Sequence, residues 1–264
     1  MKDLGKNNQP ATIKRIDYST DHGVGARARL GLLVLESDQT FESEMRFLTN
    51  LPEVSLYHAR LANDAIVTSE TLAKMVHELP IAASLLPKYL GLSAIGYGCT
   101  SGATIIGEER VREILSTLHP DVQSTNPLTA ARHALHALGI SKLGLVTPYT
   151  PEVTIAMQET FARDQIEVSA IGSFYEENDV IVGRISEDSI IKAAVEIGRM
   201  ADVEGVFISC TSLRTAHIIE VIETAIKKPV TSSNHAMAWH LLRLSGINDT
   251  LSGFGRLYHL QPKS

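Results

Sequence analysis

The tripeptide Cys-Thr-Ser occurs twice in this chain, at 99–101 and at 210–212, and it contains the only two cysteines of the 264 residues. Each copy closes an apolar run. Upstream of each lies a matching strand opening, Leu30-Gly31-Leu32 and Leu143-Gly144-Leu145, with Gly31 68 residues before Cys99 and Gly144 66 residues before Cys210. After each copy the sequence predicts a helix, Thr104 to Thr117 and then Leu213 to Ile226. Ten residues after the first helix comes Pro127-Leu128-Thr129, and three after the second comes Pro229-Val230-Thr231, each expected to start another helix. A repeat of this length implies two similar folding units built from one plan.

Short apolar runs alternate with helical periodicity along the whole chain. Strands are expected at 30–35, 53–59, 93–98, 143–147, 166–172 and 204–209. Helices are expected near 40–49, 69–78, 102–117, 127–138, 151–163, 187–200, 212–226 and 234–244. In 127–138, Leu128, Ala131, Leu135 and Leu138 share one helical face, with Asn126 and Pro127 suited to its start and Gly139 to its end. Strands alternating with helices call for βαβ units and parallel sheets. The fold class expected is therefore α/β, with two pseudo-symmetric three-layer domains and a cleft between them. The divisions are an N-terminal arm 1–28, a first domain 29–125 and a second domain 126–231, with the C-terminal helix 232–246 packing back on the first.

Composition narrows the function classes. Hydrophobic residues make up 44% and charged residues 20%, enough for a sizeable core. A net charge of -6 without a basic cluster argues against nucleic acid. No stretch reads as a signal peptide or a membrane span. Two cysteines cannot build a disulfide framework, so a cytoplasmic setting with free thiols is expected.

Cys99 and Cys210 both fall where parallel strands end, the edge at which open α/β sheets bind ligands. Two facing halves would set the thiols across one cleft. The following helix starts would supply N–H groups, and Thr100, Ser101, Thr211 and Ser212 would supply hydroxyls, to cradle a small carboxylate. Thiols on opposite faces of a carbon beside a carboxylate suit proton removal or addition on one side and proton delivery on the other. No metal is needed if fixed donors stabilise the enolate. A single cysteine at a strand end is more often packing; the duplication favours function.

The segments Tyr97-Gly-Cys99-Thr-Ser-Gly102 and Phe207-Ile-Ser-Cys210-Thr-Ser-Leu-Arg214-Thr215 resemble the two signatures of the aspartate/glutamate racemase superfamily, in its maleate cis-trans isomerase and arylmalonate decarboxylase branch. Val146-Thr-Pro-Tyr149, Pro229-Val-Thr-Ser-Ser-Asn234 and Trp239-His240 are similar to further segments of that branch, and the resemblance runs from about 29 to 247. It implies catalysis without a cofactor and a homodimer or larger assembly. It implies that Cys99 attacks or deprotonates and that Cys210 is its proton partner. It also implies that Tyr149 and Asn178 bind substrate carboxylate. Read without it, Tyr149 is a loop aromatic and Asn178 a turn residue.

One segment departs from the isomerases. Where they read Pro-Ser-Ser-Asn-Thr, this chain has Leu35-Glu36-Ser37-Asp38-Gln39-Thr40, which looks more like the ectoine-utilisation branch. Asp38 stands in place of an asparagine that contacts substrate carboxylate. A carboxylate there would repel a plain dicarboxylate. Three roles are open for Asp38: partner of a substrate ammonium, support for Cys99 as a base, or cap of the helix near Thr40.

The expected activity is an isomerase or racemase of small carboxylic or amino acids, with a role in ectoine catabolism. A malonate-type decarboxylase using Cys210 as proton donor is the alternative enzyme. A small-carboxylate binding protein is the alternative of another class. The ten histidines form no metal-binding motif; His133, His136, His235 and His240 read as surface or interface residues, and Arg60 as solvated surface.

Overall fold

A computed structural model describes residues 13–262. Residues 1–12 of the expected arm lie outside the described residues. Residues 13–27 carry neither helix nor strand, and Ala28 already belongs to the first strand. Strands β1 (Ala28–Leu35), β2 (Val54–Leu61), β3 (Ala94–Gly98) and β4 (Gln123–Thr125) form one sheet in the order β2-β1-β3-β4. Strands β5 (Lys142–Thr147), β6 (Glu167–Ser173), β7 (Gly205–Ile208) and β8 (Val230–Ser232) form the second in the order β6-β5-β7-β8. Every pairing is parallel. The inner strands β3 and β7 are buried along their whole length, and β1 and β5 almost so. That is why they read as unbroken apolar runs and not as alternation. Two sheets of identical order give the α/β fold, in two matching lobes, that the repeat called for.

The helices are α1 (Phe41–Leu48), α2 (Ser69–Ser84), α3 (Thr100–Ile106), α4 (Glu108–Leu118), α5 (Pro127–Leu138), α6 (Pro151–Arg163), α7 (Asp179–Val182), α8 (Glu187–Gly198), α9 (Ile219–Ile226) and α10 (Ser233–Leu244). Helix α5 follows its local signals. Asn126 accepts the N–H groups of Leu128 and Thr129, Pro127 sits in the first turn, and Gly139 closes the helix at φ 73°.

Three expectations about the helices are corrected. The helix expected over 102–117 is two helices, broken at Gly107, whose φ of 92° no helix accommodates. The helix expected from Leu213 begins only at Ile219, because the Glu44 carboxylate from α1 takes the N–H groups of Thr215 and Ala216. The two Pro-x-Thr segments are not equivalent: Pro127 lies inside α5, whereas Pro229 precedes β8 and α10 starts at Ser233 behind a Ser232 cap.

The core unites the lobes. Helix α10 lies against β3, β4, α1 and α5 of the first lobe's side. Gly96 makes this approach possible, since a Cβ there would stand 2.1 Å from Met237 Cε. One face of α5, through Ala130, Ala134 and Ala137, shares an apolar cluster with Trp239 and Leu241 of α10. Its other face, through Leu128, Ala131 and Leu135, joins the cluster that runs on to Leu143 and Phe207 in the second lobe. Each large side chain sealed in such a seam contributes about 1.5–3 kcal/mol.

His235 and His240 are buried, contrary to the surface reading. His235 pairs with Thr231 and the Phe254 carbonyl, and His240 with Thr125. Burial pushes their pKa values down to about 4 and about 3, so both are neutral core members. No helix among the described residues is long and apolar enough to cross a membrane.

Candidate active site

In sheets of order 2-1-3-4, the strand ends diverge between the first and third strands, and ligands settle there. Both lobes place chemistry at that point. Asp38 follows β1, Cys99 follows β3, Tyr149 follows β5 and Cys210 follows β7. Cys99, Thr100, Ser101, Tyr149, Cys210 and Thr211 line one narrow crevice. Both thiols are free and almost wholly buried, at 3% and 7% exposure.

The two Cys-Thr-Ser turns are built differently. Cys99 caps α3, and its Sγ accepts the Gly102 N–H at 3.2 Å with the Ser101 hydroxyl 3.7 Å away. Gly102 is required: a Cβ there would meet Tyr97 Oη at 2.4 Å, Met75 Cε at 2.7 Å and Cys99 Sγ at 2.9 Å. Cys210 instead sits on a strained elbow with φ 126°, a conformation that non-glycine residues hold only when their surroundings force it. Ser233 supplies part of that force. Its hydroxyl accepts the Cys210 N–H at 2.9 Å and bonds Thr100 Oγ1 at 2.8 Å, tying the two turns together. Glu44 fixes the segment that follows by accepting the Thr215 and Ala216 N–H groups, the Thr215 hydroxyl and the Asn234 Nδ2–H.

Burial pushes the Cys99 thiol up to about 11, with the Gly102 N–H and the Ser101 hydroxyl pulling the other way. Cys210 is pushed up further still, first by burial and then by the negative charge of Asp179, against the Ser212 N–H. Both thiols therefore carry their protons in the free protein at neutral pH. Cys210 is ready as a proton donor, whereas a thiol acting as base must be activated when substrate binds.

Tyr149 is 3% exposed, and its hydroxyl has no hydrogen-bond partner among the described residues. Its polar neighbours are the Cys210 thiol and the Ser209 hydroxyl, but Ser209 donates to Met157 Sδ instead. The Tyr149 hydroxyl is thus buried on the crevice without a well-formed hydrogen bond, with only these two groups near enough to compete for it. Asp38 divides its roles. Oδ1 accepts the N–H groups of Thr40 and Phe41, both at 2.8 Å, which is the capping role. Oδ2 is buried without a partner, because the nearby Thr211 hydroxyl points to the Gly98 carbonyl at 3.4 Å. Arg60 pairs with Glu42 and donates to the carbonyls of Leu35, Glu36 and Asp38, so it fixes the loop that carries Asp38.

Asn178 is not among the crevice-lining residues; its Oδ1 caps α7 by accepting the Val180 and Ile181 N–H groups. The next residue, Asp179, lines the crevice and is 4% exposed. Ser212, from the second turn, contributes by donating to Asp179 Oδ1 at 2.7 Å. Sequence reasoning missed Asp179, Ser37, Ser233 and Glu44. For Asp179 a signal existed: Asn before Asp-Val-Ile-Val is a helix-cap pattern, which assigns Asn178 to the backbone and leaves its neighbour free. The other three act across the lobes and had none. Among the described residues no group of three or more His, Cys, Asp or Glu could hold a metal ion.

A sequence model of the arylmalonate decarboxylase family matches residues 40–258, which include both Cys-Thr-Ser turns. The chain belongs to the arylmalonate decarboxylase family. It is 27% identical to the arylmalonate decarboxylase of Bordetella bronchiseptica over 136 residues, 51% of this chain and 57% of that enzyme. It is 26% identical to the maleate isomerase of Nocardia farcinica over 239 residues, 87% of this chain and 94% of that one. Among solved structures, the maleate isomerase Iso of Pseudomonas putida S16 superposes with a TM-score of 0.80 at 22% identity, covering 88% of this chain and 98% of that chain. A cysteine-to-serine mutant of the Nocardia farcinica maleate cis-trans isomerase, with a covalently bound succinylcysteine intermediate, superposes with a TM-score of 0.81 at 23% identity, with the same coverage. These superpositions establish the shared two-lobed fold. The curated family members named here are enzymes, of isomerase and decarboxylase kinds.

Proposed function

We propose that the chain is a cofactor-independent isomerase or racemase of small carboxylic acids, working through Cys99 and Cys210 in the cytoplasm as a homodimer or larger assembly. The observation that carries this reading is that both thiols, with the unpartnered Tyr149 hydroxyl, line one enclosed crevice at the strand ends of two matching lobes. Tyr149 and the Ser101 hydroxyl are the neutral donors for the substrate carboxylate, and the hydroxyls of Thr100 and Thr211 join them if substrate displaces their bonds to Ser233 and the Gly98 carbonyl. In a racemase, one thiol takes the α-proton and the other returns a proton to the opposite face. In a cis-trans isomerase, Cys99, deprotonated when substrate binds, adds as a thiolate to one alkene carbon while the Cys210 thiol gives its proton to the other; the resulting single bond rotates, and return of that proton to Cys210 with cleavage of the C–S bond releases the isomer and the Cys99 thiolate. The succinylcysteine captured in the Nocardia farcinica isomerase supports the second route. The likeness of the Asp38-Gln39-Thr40 segment to the ectoine-utilisation branch supports a role in the breakdown of that compound.

Incubation with candidate acids in deuterium oxide, read by mass spectrometry, tests the proposal. Racemisation puts deuterium at Cα, and isomerisation leaves an adduct on Cys99 in Cys210→Ser. Neither signal from any acid, with binding intact in Cys99→Ala and Cys210→Ala, would favour a carboxylate-binding protein. The protonated state of Cys210 also suits a decarboxylase, which carbon dioxide release from substituted malonates would reveal.

A further inference from the structure

The crevice holds charge of one sign. Asp179 lines it, Asp64 lies at its rim, and no Lys, Arg or His is among its lining residues. The Asp179 carboxylate is held on both sides, accepting the Ser37 hydroxyl at 2.5 Å on Oδ2 and the Ser212 hydroxyl at 2.7 Å on Oδ1. Two single hydroxyl bonds leave a carboxylate about two further acceptor sites. The nearby Asp38 adds Oδ2, 3% exposed as a residue and without a partner. Arg60 is committed to Glu42 and three backbone carbonyls and neutralises neither acid. Burial pushes the Asp38 carboxyl up, toward its neutral form, so the counter-charge is called for at Asp179.

We propose that Asp179 is a specificity-determining residue that receives a substrate ammonium, so that the crevice takes a zwitterionic amino acid in preference to a plain mono- or dicarboxylate. The inference rests on the reading of this crevice as the substrate site. The Tyr149 hydroxyl, buried and unpartnered on the same crevice, takes the carboxylate end of the zwitterion. A second consequence follows for the chemistry. Asp179 is one of the charges that hold the Cys99 and Cys210 thiols protonated, and Asp38 adds to the effect at Cys210. An ammonium beside Asp179 cancels that charge and eases thiolate formation only when the right ligand is bound. A dicarboxylate does the opposite.

The test compares matched ligand pairs on the intact protein: L- and D-aspartate with succinate, L- and D-glutamate with glutarate, and L- and D-alanine with propionate, with maleate added. Affinity is read by thermal shift and calorimetry, and Cα exchange is followed in deuterium oxide. The expected result is that at least one amino acid binds ten-fold or more tighter than its des-amino counterpart. Asp179→Asn then removes that preference while leaving the des-amino acid bound as well as before or better. Wild-type protein that binds the des-amino acids equally well, or binds none of the amino acids, overturns the proposal, and so does an Asp179→Asn variant with an unchanged preference. If Asp179→Asn fails to fold, the wild-type comparison decides alone. An amino acid that binds with the expected preference but exchanges no proton supports the ammonium site and removes the two-thiol chemistry. Exchange or isomerisation confined to des-amino acids removes the ammonium site and leaves the chemistry standing.

Discussion

Replacing Tyr149 by Phe should make the protein more stable and less active. The hydroxyl is buried in the crevice without a well-formed hydrogen bond, with only the Cys210 thiol and the Ser209 hydroxyl for polar neighbours. An unsatisfied buried hydroxyl costs about 1–3 kcal/mol. Contact with a weakly polar thiol offsets part of this, so a gain of about 1–2 kcal/mol is expected on removing it. For a chain of this size that corresponds to a melting temperature higher by about 2–8 °C. The ring stays, so no cavity opens to mask the gain. The same hydroxyl is the donor for the substrate carboxylate, and a hydrogen bond to a charged group is worth about 1.5–3 kcal/mol. Loss of that bond should lower kcat/KM by about 10- to 100-fold on whichever acid is turned over. Calorimetry of the free protein gives the first number and steady-state kinetics the second. A variant that melts at or below the wild-type temperature with unchanged turnover would refute the idea that Tyr149 is kept waiting for a ligand.

Two further outcomes are expected. Gly102→Ala forces a methyl group against Tyr97 Oη, Met75 Cε and Cys99 Sγ, which should cost about 1–3 kcal/mol in urea denaturation. It should also slow alkylation of Cys99 or turnover, and a neutral effect on both would mean the turn around Cys99 is loose. Glu44 concerns pH: burial pushes its carboxyl from 4.5 up to about 7 against four donors. The folded state therefore binds the extra proton between about pH 4.5 and 7, so this group's contribution is full below that window and is lost as pH rises through it. Relative to Glu44→Gln, the wild type should lose on the order of 3 kcal/mol between pH 4.5 and 8. A difference between the two proteins that does not vary with pH would show that Glu44 stays ionised throughout.

Six of the eight strands and most helices were legible because buried parallel strands are apolar throughout and the helices carry their own caps; β4 and β8, three residues each, are too short to show a pattern. Asn126, Pro127 and Gly139 bracket α5 with no help from the rest of the molecule. The repeat made the thiol pair legible, since two cysteines at equivalent strand ends are hard to explain by packing alone. The start of α9 was not legible. Residues 213–218 have helical neighbours, but Glu44, 171 positions before Thr215, binds the N–H groups that a helix would need.

The amino-acid sequence by itself determined the two-lobed parallel α/β plan and the position of Cys99 and Cys210 at strand ends, because periodicity, capping and repetition are local or regular properties of a chain. Only the tertiary structure decided what surrounds the thiols. Ser37 reaches Asp179 across 142 residues and Thr100 meets Ser233 across 133. The sign of the charge in the crevice, the burial that keeps both thiols protonated and the idle hydroxyl of Tyr149 arise only where the lobes close on each other. These depend on which distant groups share a low-dielectric space, and no local pattern in the chain records that.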